Sequence, residues 1–368
     1  MALSPNYAWA EPDNSSLVKN GAQDIRALGD AIDTSLWNVG FGQAGKNKII
    51  NGNFGIWQRG TSFDVSAGYN ADRFVVTNVG NTGTITQQTF AAGTAPVSGY
   101  EATYFSRSTI TGVAGAGNFT TYAQRIEDVR TFAGQTVTVS YWAKADAAKS
   151  VSLEFQQFFG SGGSASVNTF VAKQALTTSW VRYSSTVTIP SISGKTIGTG
   201  GTQLDFRFWL SAGSTYDSRT STLGTQSITF DIWGIQVEYG SKATPFQTAT
   251  GTIQGELAAC QRYYWQPINA ASQNISMGFM YSASQVQFTI LPIVTMRIAP
   301  TIVQTTGTDY WSFSRNGGTD TFNSLTLATA TTSAISLYNS TEISGTAGQA
   351  GGISSNNAST TLGFSAEL

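Results

Sequence analysis

Two short aromatic clusters, Tyr263-Tyr264-Trp265 and Tyr310-Trp311, are the residues of this chain best suited to hold a ligand. A pyranose ring presents C–H groups on one face and hydroxyls at its edge. A flat Tyr or Trp ring takes the face, and Asn, Gln, Asp or Thr takes the edge. Neighbouring strand residues point to opposite sides, so at least one ring of each cluster is expected to face outward. Hard oxygen ligands form a second candidate set. Asn51 and Asn53 flank Gly52 at a turn, and Asp231 lies on the strand expected to close the same domain. If those two ends meet, their oxygens can converge on a structural calcium ion. The other reading of Asn51-Gly52 is plain turn chemistry.

Other chemistries find little support. The chain contains no histidine and a single cysteine, Cys260. That excludes Ser-His-Asp and Cys-His catalysis, histidine-ligated metals and a disulfide framework within one chain. Gly40 to Lys46 matches both GxGxxG and GxxxxGK, but a helix precedes it and a strand follows, the reverse of the phosphate-binding order. It reads as a hinge. Carboxylates are sparse: Asp146, Glu154, Asp205, Asp231 and Glu238 lie in or beside strands. A glycosidase needs two that face each other, roughly 5–5.5 Å or 6.5–9.5 Å apart, and no spacing in the sequence sets such a pair. A formal net charge of −1 offers no footprint for nucleic acid or an anionic membrane. No apolar run reaches the length of about 18 residues that membrane insertion requires. The start of the chain has neither the basic nor the apolar region of a secretory signal.

The elements that must position these residues change character along the chain. From Asp13 to Asn38 the period is helical. Val18, Ile25 and Ile32 recur every seven residues, with Ala22, Leu28 and Leu36 on the same face. Asp13 to Ser16 offer caps, and Gly40 and Gly42 mark the end. Such a helix needs a partner surface, and copies of itself would provide one. From Lys46 the period becomes two. Val137, Val139, Tyr141 and Ala143 alternate with polar neighbours, and Val151–Phe155, Trp180–Ile189, Leu204–Leu210 and Ile228–Val237 repeat the pattern between Gly, Ser and Asn clusters. Many short strands without intervening helices predict an antiparallel sandwich. Around Gly251 the pattern breaks, then alternation returns. After Arg262 the charges are confined to Arg297, Asp309, Arg315, Asp320, Glu342 and Glu367. So neutral a segment is expected to be buried in part against other copies. The fold class is therefore mainly β: an N-terminal α-helix, an antiparallel β-sandwich of jelly-roll type, and a second C-terminal β-sandwich. The expected boundaries are 1–45, 46–250 and 251–368.

Several blocks carry a resemblance. Lys46 to Gly60, with Asn51-Gly-Asn-Phe54 and Trp57-Gln-Arg59-Gly60, followed by Ala71-Asp72-Arg73-Phe74, resembles the opening of a module common in phage and prophage tail-fibre proteins. Gln124–Glu127, Gly134–Lys144, Trp180–Pro190 and Phe230–Phe246 resemble its later strands. Glu256–Tyr264 with Met296–Thr301 resembles the start of a distal domain that often follows. The module is similar to carbohydrate-binding jelly rolls, some of which hold a structural calcium. Trp9 to Pro12 and the helix resemble virion-anchoring segments. The resemblance implies a virion tail-fibre protein, a parallel homotrimer joined to tail or baseplate proteins through residues 1–45. Its distal tip would touch host surface polysaccharide without catalysis and require no cofactor. Arg59 and Arg73 are expected to brace loops, and Trp142 and Trp233 to fill the sandwich core. The competing expectations are a purely structural virion protein and a surface-polysaccharide depolymerase.

Overall fold

The computed structural model describes residues 2–3, 9–11, 17–39, 45–97 and 100–368. The cap candidates Asp13 to Ser16 and the glycine-rich run from Gly40 to Ala44 lie outside them. Strands β1 (Ala2–Leu3) and β2 (Ala10–Glu11) pair as a hairpin, and helix α1 spans Gly21–Val39 behind a 3-10 turn at Val18–Asn20. No helix among the described residues is long and apolar enough to cross a membrane.

The period-two segments form strands β3 (Ser62–Asp64), β4 (Phe74–Val79), β5 (Thr82–Thr89), β6 (Tyr104–Thr111), β7 (Phe119–Glu127), β8 (Thr136–Ala145), β9 (Lys149–Phe158), β10 (Val167–Leu176), β11 (Val181–Thr188), β12 (Gln203–Ala212) and β13 (Ile228–Tyr239). A short helix, α2 (Asp217–Thr220), lies between the last two. Five strands make one antiparallel sheet in the order β10-β9-β12-β7-β4, and six make the other, β11-β8-β13-β6-β5-β3. Their inner faces meet in one core, to which Val137, Val139, Tyr141 and Ala143 of β8 and Leu204, Phe206, Phe208 and Leu210 of β12 contribute. Alternation thus places apolar residues inward from both sheets, as the period-two pattern requires. Trp142 and Trp233 depart from expectation. Trp142 has the opposite parity to the core-facing residues of β8, and Trp233 to Ile228, Phe230 and Ile232 of β13, just before a register shift returns Ile235 and Val237 to the core. The two join Phe90 and Phe105 in a separate aromatic cluster on the outer face of the six-stranded sheet.

Helix α3 (Ile253–Gln261) leads into the second β unit, its start capped by the Thr252 hydroxyl, which accepts from the Gly255 amide at 3.1 Å. The strands are β14 (Tyr264–Ile268), β15 (Asn274–Ser282), β16 (Gln285–Ile290), β17 (Thr301–Gln304), β18 (Trp311–Arg315), β19 (Gly318–Phe322), β20 (Thr326–Ala330), β21 (Ile335–Asn339), β22 (Ala350–Ser355) and β23 (Leu362–Ser365). They form a three-stranded sheet, β14-β23-β17, and a seven-stranded sheet, β19-β18-β22-β15-β16-β21-β20. A second core, including Trp265, Phe288, Trp311, Phe313 and Phe364, fills this unit.

The block Lys46–Gly60 works as a clasp rather than a strand. Asn47 donates to the carbonyls of Ile235 (3.0 Å) and Gln247 (2.9 Å), tying the entry of the sandwich to β13. Gly52 faces the Ile235 carbonyl so closely that an added Cβ would lie 2.3 Å from its oxygen. This is why glycine follows Asn51. Glu256 of α3, buried, accepts from the Asn51 amide at 2.7 Å and from the Thr250 amide at 2.7 Å.

Candidate functional site: a polar cleft on the five-stranded sheet

The aromatic clusters singled out by sequence are not surface platforms. Tyr263 is 4% exposed, Tyr264 3%, Trp265 8% and Trp311 0%; Tyr310 packs partly buried against the second core. The parity argument placed one ring of each cluster outward, but the outward side of β14 is itself covered. Trp265 stacks on Phe364 within the second core, with ring centroids 5.8 Å apart. On the other side, Arg59 of the first unit lies 3.5 Å over the Tyr264 ring and Arg73 lies 3.4 Å over Tyr263. Burial pushes the Tyr264 hydroxyl up to about 12, against the pull of Arg59. Arg59 and Arg73 both pair with Glu367, and Arg73 also donates to the Arg125 carbonyl at 2.6 Å. These arginines brace the junction, as their place in the sequence blocks implied.

Nor do Asn51, Asn53 and Asp231 form a cation site. The Asn51 amide donates to the carbonyls of Ile56 (2.8 Å) and Asp72 (3.1 Å) and accepts from the Ile56 amide (3.0 Å). That is turn chemistry. Asp231 accepts from Arg107 at 2.7 and 2.8 Å, with Lys144 at 3.6 Å. Two cations already saturate its carboxylate and would repel a third. The residue of β13 that meets the Asn51-Gly52 turn is Ile235, four positions along the strand from Asp231, a separation of about 10 Å or more. Asn53 borders a different groove, beside Tyr100.

A cleft of about 430 Å³ opens instead on the outer face of the five-stranded sheet. The residues that β12 does not give to the core, Gln203, Asp205, Arg207 and Trp209, point to this face. Register sets Asp205 between Gln156 of β9 and Arg125 of β7, and Arg207 between Glu154 and Ala123. Arg207 donates to Asp205 and to the Gln156 side-chain oxygen, both at 2.6 Å. Gln203 donates to Asp205 at 2.7 Å. Phe158, 39% exposed, stands opposite Gln203 at the end of this row. Val75, Thr77 and Thr121 complete the far wall. The main-chain oxygen of Leu368 sits at the rim, held by the Tyr69 hydroxyl at 2.9 Å and by Arg125.

Behind this row Glu154 is fully buried. It accepts from Arg219 at 2.8 and 2.6 Å and from the Trp209 indole at 3.2 Å. Arg219 also lies 4.9 Å over the Trp209 ring, which packs on Phe119 and Tyr216. The pair Glu154 and Asp205 therefore shares one sheet face, with Arg207 bonded to Asp205 and its Nε 3.8 Å from Glu154. Burial pushes the Asp205 carboxyl above its ordinary value, and Arg207 and Arg125 pull it the other way. Glu154, enclosed by three donors, presents no oxygen to the cleft. What the cleft offers a ligand is a row of amide and guanidinium groups in fixed positions and one open aromatic ring. The sequence did carry a signal for it. Asp205, Arg207 and Trp209 occupy alternate positions within the apolar run Leu204–Leu210, so their shared face is readable once the strand is assigned.

Fold and site define a mainly β, antiparallel β-sandwich protein with a polar open cleft. No protein-family profile matches the chain, and no curated protein does. Solved structures resemble parts of it. The enzymatically active domain of tailspike protein 4 of bacteriophage CBA120 aligns over 53% of this chain at 14% identity and a TM-score of 0.31. The chain spans only 22% of that domain's chain. The CBM22-2 xylan-binding domain from Paenibacillus barcinonensis aligns over 49% of this chain and 98% of its own, at 14% identity and a TM-score of 0.30. A putative sugar binding protein from Bacteroides thetaiotaomicron aligns over 53% of this chain and all of its own, at 11% identity and a TM-score of 0.32.

Proposed function

We propose that this chain is a non-catalytic glycan-binding protein of a phage or prophage tail fibre, with the cleft on the five-stranded sheet as its sugar site. The observation that carries the reading is Phe158, an open ring at the end of a row of hydrogen-bonding groups, Gln203, Gln156 and Arg207. A sugar face packs on such a ring while its hydroxyls bond the row, and a volume of about 430 Å³ suits a ligand of a few sugar rings. The non-catalytic part rests on the enclosure of Glu154, which leaves Asp205 without an accessible carboxylate partner in the cleft. The tail-fibre part rests on the ordered sequence blocks from Lys46 to Thr301.

This reading moves the sugar site from the C-terminal unit, whose candidate rings are buried or, at Tyr310, partly buried against its core, to the first sandwich. A homotrimer fits the same proposal. Val18 is 97% exposed and Ile25 67% exposed on the heptad face of the N-terminal helical segment, so copies of that segment would cover each other's apolar stripe. Three copies of a weak site would then gain strength through valency. The test is binding of the purified full chain to a panel of bacterial surface polysaccharides by affinity electrophoresis. Retardation by one or more of them, lost in Phe158→Ala and Arg207→Ala, supports the proposal. Equal retardation of wild type and both variants overturns the assignment of the cleft.

A further inference from the structure

The outer face of the six-stranded sheet carries a second feature that neither the cleft nor the core accounts for. Phe90, Phe105, Trp142 and Trp233 pack there, with Trp180 and Phe246 at their border. Tyr100 leans on this cluster, its ring centroid 5.4 Å from Trp233 and 6.0 Å, edge-on, from Phe246. Yet it remains 38% exposed. Along its free side runs a groove of about 440 Å³, lined by Asn53, Gly55, Glu101, Thr103 and Tyr104 as well as Tyr100.

We infer that this groove is a second carbohydrate site, built for a neutral sugar, on the side of the sandwich opposite the cleft. A ring wedged against two others has already lost its rotamer freedom, so stacking on it orders no further side chain. Asn53 lines the same groove as Tyr100, which brings an amide to the edge of the platform. The Glu101 carboxylate and Thr103 hydroxyl are exposed along the same wall. A carboxylate accepts bonds from adjacent sugar hydroxyls, and no Lys or Arg lines the groove. An acidic sugar would meet Glu101 without a counter-charge, whereas a neutral one meets acceptors that its hydroxyls can satisfy. Gly55 keeps the floor low: an added Cβ would lie 3.4 Å from the Asn53 amide. The inference does not depend on the cleft. With both sites filled, one copy of the chain would engage two glycan strands, or two stretches of one strand, on opposite faces.

The experiment uses the full chain and neutral oligosaccharides of glucose, galactose, mannose and rhamnose, followed by saturation-transfer NMR and calorimetric titration. Four proteins are compared: wild type, Tyr100→Ala, Tyr100→Phe, and the cleft double variant Phe158→Ala/Arg207→Ala. The expected result is a neutral oligosaccharide that still binds the cleft double variant, binds Tyr100→Ala about tenfold more weakly in the groove, and retains most of its affinity for Tyr100→Phe, whose ring is intact. An unchanged melting temperature in Tyr100→Ala shows that loss of binding is not loss of fold. If neutral sugars bind wild type but not the cleft double variant, the second site is overturned and the cleft reading stands. If binding is lost in Tyr100→Ala alone, the second site stands as the neutral-sugar site, and the cleft reading is decided by its own polysaccharide test. Binding to Tyr100→Ala equal to that of wild type, or none of the four sugar classes binding wild type, overturns the second site.

Discussion

The guanidinium of Arg73 lies 3.4 Å above the ring of Tyr263, so a residue from the first sandwich roofs a ring that opens the second β unit. Arg73 is fully buried, and its two terminal nitrogens donate to Glu367 and the Arg125 carbonyl. Removing it leaves Glu367 with Arg59 alone and empties the space over Tyr263. Arg73→Ala is expected to cost about 3 kcal/mol in denaturant unfolding, the range for breaking a buried pair at one end. A change under about 0.5 kcal/mol would show the stack to be incidental.

The same geometry separates structure from binding at Tyr263 and Tyr264. The Tyr263 hydroxyl donates to Glu127 at 2.8 Å. Tyr263→Phe should lose about 1 kcal/mol of stability and leave glycan retardation unchanged, as should Tyr264→Phe. A loss of sugar binding with unchanged stability in either variant would return these rings to the ligand site.

In the cleft, Phe158→Ala and Arg207→Ala should each weaken polysaccharide binding about tenfold, equivalent to ~1.4 kcal/mol. Gln156→Ala should have a smaller effect, because Arg207 keeps its bond to Asp205. Titration of each variant against one retarded polysaccharide gives the order.

Burial raises the Asp205 carboxyl above its ordinary 3.8. The folded chain therefore holds that proton more tightly than the unfolded chain. Its contribution to stability is complete below 3.8 and is lost as the pH rises through the raised value. Asp72, also raised by burial, acts in the same direction. Asp205→Asn should lose less melting temperature than wild type between pH 4 and neutrality, measured by scanning calorimetry. An identical pH profile in the two proteins would contradict the assignment.

The apolar stripe of the N-terminal helical segment predicts assembly. Val18→Ser combined with Ile25→Ser should lower the mass in light scattering from trimer to monomer while the β units keep their melting temperature. A trimer mass that survives both changes would place the contacts elsewhere, and the exposed Met277, Phe279 and Tyr281 side chains on β15 are then the next surface to alter.

Much of this molecule is legible in order of residues. The alternation at Val137–Ala143 and Leu204–Leu210 is a local property, since successive side chains of a strand leave opposite faces whatever the strand packs against. Strand positions and the mainly β class follow from it; the N-terminal helix follows from its own seven-residue apolar repeat, and the turn at Asn51-Gly52 from its residue types. The bracing role of Arg59 and Arg73 was also within reach, because their place in the Trp57–Gly60 and Ala71–Phe74 blocks marks them for loops.

Which face of a strand meets water is a different kind of fact. Tyr264 and Trp265 obey alternation, yet both are buried, because Arg59 comes from some two hundred positions away to cover the side that parity left open. Asp231 has the oxygens for a cation, but the register of β13 with β6 and β8 hands them to Arg107 and Lys144. Conversely, Phe158 and Tyr100 are ordinary aromatic residues in the sequence, and each keeps one side open, 39% and 38% exposed, because no other segment covers that side. The sequence by itself determined the strands, their inward residues and the scarcity of charge, since these depend on local backbone geometry and composition. Tertiary structure alone decided which rings and carboxylates remain available, since burial and ion pairing are settled between segments far apart in the chain.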